Sequence, residues 1–317
     1  MNTNGDLHVV LGATGGIGSE LVEELVRRGD RVRAVSRSGR APGGVEGFEA
    51  DVSSSAGAEA ACSGAVVVYH AAQPDYTRWT QEFPAMSEAI TAGAAAAGAK
   101  LVFADNLYMY GPGNPQPMTE ETPPRATGKK GRVRIQMAED LLEAHRAGKV
   151  RVAIGRASDY YGPHGTGTIV GDTVFSAALA GKTVRWPGSL DAPHQFNYLP
   201  DLSRALVTLG EREEADGEIW HLPAAQPITG RRFLDLISSE LGRPVKASAT
   251  PKIMIQAIGL FSPFIRELSE TMYQFERPFY ADASKYERTF GPFDPTPHEE
   301  AVGHTVDWFR RREELHL

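Results

Sequence analysis

The chain has 317 residues, 41% hydrophobic and 23% charged, a composition typical of a folded globular protein of one large domain or two closely joined ones. A formal net charge of −7 argues against nucleic acid or an anionic membrane as a partner, because both select clustered Lys and Arg. The single cysteine, Cys62, excludes an internal disulfide and fits a reducing cytoplasm, where it reads as a quietly packed thiol. The polar start shows no secretory leader pattern, and the small-residue run at 92–99 is too short to span a bilayer.

In chain order, an apolar run at 7–11 stops at Gly12, Gly15 and Gly18 follow at three-residue spacing, and an amphipathic helix is expected over 17–28. A strand, a tight glycine turn and a helix N-terminus suit a dinucleotide pyrophosphate. The glycines allow close backbone approach, and free helix N–H groups face the negative charge. This context assigns Gly12, Thr14, Gly15, Gly16, Ile17 and Gly18 to cofactor binding. Strands are expected at 31–35, 47–50, 65–69, 100–104 and 150–154, with helices over 84–98 and 132–147. Such alternation predicts an α/β fold, a Rossmann-like doubly wound parallel sheet with helices on both faces.

The segment 111–131 holds five prolines and little apolar periodicity, so it is expected as a long loop over the carboxyl edge of the sheet. Beyond Pro163 the rhythm is irregular, with helices expected at 169–180, 202–211 and 230–241, a strand at 218–222, and a strongly apolar stretch at 253–275. We therefore expect a dinucleotide-binding domain over 1–163 and a mainly substrate-binding portion over 164–317, with segments returning to the first. The cleft between them is the expected substrate site. His164, His194, His221, His298 and His304 are scattered without ligand spacing, so no metal is expected.

These features resemble the extended short-chain dehydrogenase/reductase superfamily, which contains sugar-nucleotide epimerases, dehydratases and many ketoreductases. The resemblance rests on Gly12/Gly15/Gly18, Asp51-Val52, His70-Ala71-Ala72, Tyr108-Met109-Tyr110-Gly111-Pro112, and Arg156 through Tyr161-Gly162-Pro163. It implies a Rossmann domain with a smaller C-terminal substrate domain, Asp51 and Val52 at the adenine, and Ala71 and Ala72 beside the riboses. In the family an acid at the end of the second strand accompanies NAD, whereas an arginine accommodates the extra phosphate of NADP. Ser36, Arg37 and Arg40 stand there without an acid, so NADPH is the expected cofactor, with NADH as the alternative.

Family members usually carry Tyr-x-x-x-Lys on the helix after the fifth strand and a Ser or Thr at that strand's end. The lysine lowers the phenol's pKa, and the phenol exchanges a proton with the substrate oxygen. With Met137-Ala138-Glu139 setting the register, those positions fall on Gly131, Ile135 and Asn106, and none of the ten tyrosines has a lysine four residues later. Asn106, an amide donor for a developing oxyanion that also lies beside the cofactor, Tyr108 and Tyr160 are the candidates to replace the missing acid. Tyr110 and Tyr161 also flank the expected cleft, Tyr110 mainly as a structural residue. Asp105 reads as a turn residue, Asp159 as a backbone brace, and Lys129 with Lys130 as a solvated pair in the loop. Phe261, Phe264 and Tyr273 read as core, or as the wall of a pocket for a large apolar ligand.

The expected function is an atypical, substrate-assisted NADPH-dependent ketoreductase acting on a fairly large apolar molecule such as an aromatic polyketide. The alternatives are a nucleotide-sugar epimerase or dehydratase, and a non-catalytic NADP(H)-binding redox sensor. The expected partner is a small-molecule substrate, and the expected state is a cytoplasmic monomer or homodimer.

Overall fold

The computed structural model describes residues 5–250 and 267–315. Its centre is a seven-stranded parallel sheet. In chain order its first six strands are β1 (Leu7–Leu11), β2 (Arg31–Ser36), β3 (Gly47–Glu49), β4 (Val67–His70), β5 (Lys100–Asp105) and β6 (Arg151–Arg156). After β7 (Asp159–Tyr161), β8 (Val184–Pro187), β9 (Pro193–His194) and β10 (Phe196–Tyr198), the chain returns to this sheet with β11 (Glu218–His221). The spatial order is β11-β6-β5-β4-β1-β2-β3. The order therefore reverses between β1 and β4, and a crevice outside their carboxyl ends is where such sheets take ligands.

Strand residues alternate between two cores, as period-two side chains on a sheet buried on both faces must. Val9, Leu11, Val68, Leu101, Phe103, Val152 and Ile154 face one side. There they meet the helices α2 (Ser55–Cys62), α3 (Trp79–Ala96) and α4 (Lys129–Arg146). Val10, Tyr69, Val102 and Ala153 face the other side. Their partners are α1 (Gly16–Arg27) and α6 (Leu199–Glu211), with α5 (Phe175–Leu179) lying between α4 and α6 in the chain. A separate core gathers residues of the second half around Phe175, Trp186, Phe196 and Phe233. Its helices include α7 (Gly230–Leu241) and, after α8 (Ser284–Phe290), α9 (His298–Leu315). Among the described residues no helix is long and apolar enough to cross a membrane.

Three expectations need correction. The helix expected to begin at Pro84 begins at Trp79, because Trp79 and Phe83, both nearly inaccessible, are buried against the first core. That burial outweighs the one backbone hydrogen bond that the proline removes. The helix expected over 169–180 shrinks to Phe175–Leu179. Residues before it turn back on themselves, and a Cβ on Gly171 would lie 2.2 Å from the Gly165 carbonyl oxygen. Helix α2 was not anticipated; Ser54 caps it by accepting from the Gly57 N–H at 3.1 Å. Cys62 at its end is buried, which pushes the thiol up to about 11.

Candidate functional site

The glycine turn after β1 has a distinct steric reason at two of its positions. Gly12 sits at φ +83°, and a Cβ there would lie 2.7 Å from the Ala72 Cα, so the ends of β1 and β4 can approach only without it. A Cβ on Gly18 would lie 2.1 Å from the Gly12 carbonyl oxygen, so this glycine lets α1 pack on the turn. Helix α1 has Gly15 as its N-cap, no side-chain cap and no acidic residue in its first turn. Helix α7, by contrast, is capped by Thr229. The uncapped N–H groups of α1 therefore suit an anion, and the residues present fit a dinucleotide pyrophosphate.

A cavity of about 630 Å³ opens at this end of the sheet. Of the residues assigned to cofactor binding from the sequence, Gly12, Thr14, Gly15, Ser36, Arg37, Asp51, Val52, Ala71 and Ala72 line it. Asp51 is oriented by the Ser53 N–H and hydroxyl, at 3.0 and 2.6 Å, and those bonds hold its carboxyl below the usual range. Other expected contacts do not reach this wall. Gly16 instead faces Leu199 and the His164 carbonyl, and Ile17 packs against the second face of the sheet. Gly18 serves packing, and Arg40 turns to the Ser38 hydroxyl at 3.1 Å. Sequence proximity did not distinguish these because one helical turn divides its residues between ligand and core.

A second cavity, about 710 Å³, lies under the long loop. Gly111, Asn114, Gln116, Thr127 and Gly128 of the loop line it together with Glu270, Thr271, Tyr273, Glu276 and Arg277. Tyr108 and Gly131 complete one wall. The Tyr108 and Tyr76 phenols are close enough to influence each other's titration, and Thr271 lies beside Tyr76. Burial holds both phenols protonated, Tyr76 up to about 12 and Tyr108 well above the ordinary phenol range. Tyr76 lies in the chain between Asp75 and Arg78, which line the first cavity. Tyr76 is thus a chain neighbour of the first cavity's lining, and Tyr108 is on the wall of the second.

Asn106 lines neither cavity; its Oδ1 accepts from the Tyr108 N–H at 3.0 Å and so braces the turn that presents Tyr108. Tyr160 also lines neither, and its half-buried ring packs against the core beside α6. Tyr161 does not flank a cleft, because its ring is in the second-half core and its hydroxyl meets His298 Nδ1 at 3.0 Å. Tyr110 is structural, fully buried, with its hydroxyl 2.6 Å from His221 Nε2. Asp159 pairs with His194 at 2.9 Å, a side-chain contact and not a backbone brace. Tyr273 is on the second cavity wall, whereas Phe261 and Phe264 lie outside the described residues.

The loop lysines separate. Lys129 is exposed, but Lys130 is 1% exposed and belongs to the first turn of α4. Its ammonium pairs with Glu267 at 2.9 Å, donates to the Tyr76 carbonyl at 2.7 Å and lies 4.0 Å from the centre of the Tyr76 ring. It therefore positions Tyr76 from the ring face and does not reach the hydroxyl side as the family lysine does. Asp105 is likewise no turn residue. Its fully buried carboxylate is 3.1 Å from Arg156 and 3.3 Å from Arg134. Arg134 in turn stacks over Trp79 and Phe83, each 4.6 Å away. Sequence reasoning missed Tyr76, Lys130 as an ion-pair member, and Arg134. The one local signal was the spacing of Lys130 and Arg134, one turn apart on a helix.

Gly131, at the family tyrosine position, has no room for a side chain: a Cβ would meet Ala126 Cβ at 2.2 Å and the Tyr108 carbonyl oxygen at 2.8 Å. Ile135, at the lysine position, packs with the small core of Leu107, Met109, Tyr110 and Met118. Installing a tyrosine and a lysine at these two positions would therefore disturb the wall of the cavity.

Comparisons with known proteins agree with this architecture. No curated protein sequence matches the chain. An epimerase from the thermophilic methanogen Methanothermobacter thermautotrophicus superposes with a TM-score of 0.84 at 16% identity, covering 98% of this chain and 94% of that one. The dTDP-glucose 4,6-dehydratase of Streptomyces venezuelae, solved with NAD, gives 0.80 at 17%, covering 98% of each chain. The UDP-glucose 4-epimerase of Thermotoga maritima, solved with UDP-glucose, gives 0.78 at 18%, with 97% of this chain and 99% of that one covered. These likenesses speak to the fold. The model of one family matches residues 8–222, from the first strand of the sheet to the end of its last, and by that match the chain belongs to the NAD-dependent epimerase/dehydratase family.

Proposed function

We propose that this protein is a nicotinamide-dependent oxidoreductase that reduces the carbonyl of a polar, polyhydroxylated substrate of the nucleotide-sugar class. The observation that carries this reading is Tyr108, whose phenol burial keeps protonated on the wall of the second cavity with the Tyr76 phenol beside it. A protonated phenol can donate to the oxygen of a carbonyl as negative charge develops there. The nicotinamide, when bound, supplies hydride. Residues of the first cavity hold the dinucleotide, with the α1 N-terminus at the pyrophosphate and Asp51 and Val52 toward the adenine. Arg37, on the cavity wall just after β2 and flanked in the chain by Ser36 and Ser38 with no acid, supports NADP(H) over NAD(H).

Asn114, Gln116, Thr127, Glu270, Glu276 and Arg277 on the cavity wall favour a substrate with hydroxyl and charged groups over a large apolar one. This replaces the aromatic polyketide expected from sequence, and it is supported by the nucleotide-sugar enzymes among the structural neighbours. Tyr108→Phe, assayed with NADPH and a panel of keto-sugar nucleotides, should lower kcat by roughly 10²–10⁴-fold while leaving cofactor affinity intact. Unchanged kcat would remove Tyr108 from the chemistry. An epimerase or dehydratase cycle is favoured by the family match, and it needs a base that first takes a proton from a hydroxyl. Oxidised cofactor retained through purification would support that reading over the reductase.

A further inference from the structure

Outside both cavities, α1 and the segment after β7 bring three potential metal ligands together. Glu20 and Glu23 lie one helical turn apart on α1, and His164 follows Pro163 with a left-handed backbone at φ 59°. One ligand atom from each lies within 4.8 Å of the others, and His164 Nε2 is 2.9 Å from Glu23 Oε1. Glu20 is only 6% exposed, and its Oε1 has no hydrogen-bond partner among the described residues. Burial of a carboxyl without a partner is costly, and a bound cation removes that cost. The neighbouring Glu24 is already engaged by Arg27 and Arg28, at 2.5 and 3.7 Å. Among the described residues, no ion pair gives Glu20 a basic partner.

We propose that Glu20, Glu23 and His164 form a site for a zinc-class divalent cation that staples the cofactor-binding helix to the segment after β7. Two carboxylates and one imidazole suit Zn²⁺ or a similar transition ion better than Mg²⁺ or Ca²⁺, which prefer an all-oxygen shell. Ligand bonds of about 2.0–2.2 Å in a tetrahedron place donor atoms roughly 3.3 Å apart, whereas the three ligand atoms here lie within 4.8 Å of one another, so binding draws them together by at most about 1.5 Å. Water completes the fourth position. The staple sits where the two segments already touch, since the Cβ position of Gly16 is 3.4 Å from the His164 carbonyl oxygen. His164 also carries the contact onward to Trp308 of α9, ring centre to ring centre 5.1 Å. The histidines looked scattered in the sequence because the two carboxylates lie more than a hundred residues from His164.

The test uses untagged, chelator-stripped full-length protein titrated with Zn²⁺ by calorimetry, with Co²⁺ as a spectroscopic probe. The expected result is one ion per chain, a tetrahedral Co²⁺ visible band, and a melting temperature raised by Zn²⁺. Glu20→Gln and His164→Ala should each weaken Zn²⁺ roughly tenfold or more and abolish the thermal shift. Glu23→Gln changes a half-exposed side chain and serves if the buried Glu20 variant does not fold. Absence of Zn²⁺ and Co²⁺ binding to the wild type overturns the proposal, as does unchanged binding in the folded Glu23→Gln and His164→Ala variants.

Discussion

Asp105→Ala tests the buried charge cluster beneath α4. The carboxylate has 0% side-chain exposure and stands between Arg156 at 3.1 Å and Arg134 at 3.3 Å. Arg134 is itself 5% exposed, and burial pushes its guanidinium below the ordinary range while Asp105 is the largest influence opposing that shift. Breaking one buried pair typically costs about 3–5 kcal/mol, because a charge is left without compensation. Here one substitution strands two guanidinium groups, so about 4 kcal/mol is a lower expectation, a large part of the roughly 5–15 kcal/mol that holds a protein folded. Urea unfolding followed by fluorescence measures it directly, because Trp79 is stacked on Arg134 at 4.6 Å and reports on the same cluster. At about 2–4 °C per kcal/mol, the melting temperature should fall by roughly 10 °C. Adding Arg134→Met to Asp105→Ala should recover part of the loss, since one stranded charge is removed. A loss below about 1 kcal/mol, or no recovery in the double variant, would refute the idea that Asp105 neutralises both arginines.

Other outcomes follow from the same geometry. Arg37→Ala should weaken NADPH by roughly 10–100-fold and NADH little, whereas Arg40→Ala should affect neither; comparable losses of both cofactors would reject the assignment of Arg37 to the extra phosphate. Gly12→Ala should abolish dinucleotide binding in fluorescence titrations, because its φ of +83° and the 2.7 Å approach to Ala72 leave no place for a methyl group. His70 is 1% exposed, lacks a partner at either ring nitrogen, and is held down at about 3 by burial. Its folded-state value lies below the ordinary 6.5, so its contribution to stability is present above pH 6.5 and is lost as pH falls toward 3. His70→Leu should therefore flatten that acid slope by up to about 1.4 kcal/mol per pH unit, and raise stability near neutrality by about 1–3 kcal/mol. An unchanged acid limb in pH-dependent urea titrations would show that His70 does not titrate on unfolding as described.

The strand-turn-helix that opens the chain was legible because its parts are consecutive. Gly12, Gly15 and Gly18 lie within one such unit, directly after the apolar run of β1. Burial period and glycine spacing are short-range signals, so they survive without tertiary contacts. The start of α3 was misread because Pro84 is a strong local signal, whereas the burial of Trp79 and Phe83 depends on a sheet built from other parts of the chain. The return of the last segment as β11 beside β6 was foreseen only as a strand, without its place in the order.

The sequence by itself determined the α/β class of the parallel sheet and the place of the glycine turn between its first strand and helix. The tertiary structure decided which side chains meet around the second cavity and beneath it. Tyr76 reaches Tyr108 across 32 positions, Lys130 closes on Glu267 across 137, and Asp105 is shared between Arg134 and Arg156. The physical reason is that a charge or hydroxyl takes its partner from whichever strand ends and helix starts the packed core brings within about 3 Å, and no local pattern encodes that meeting.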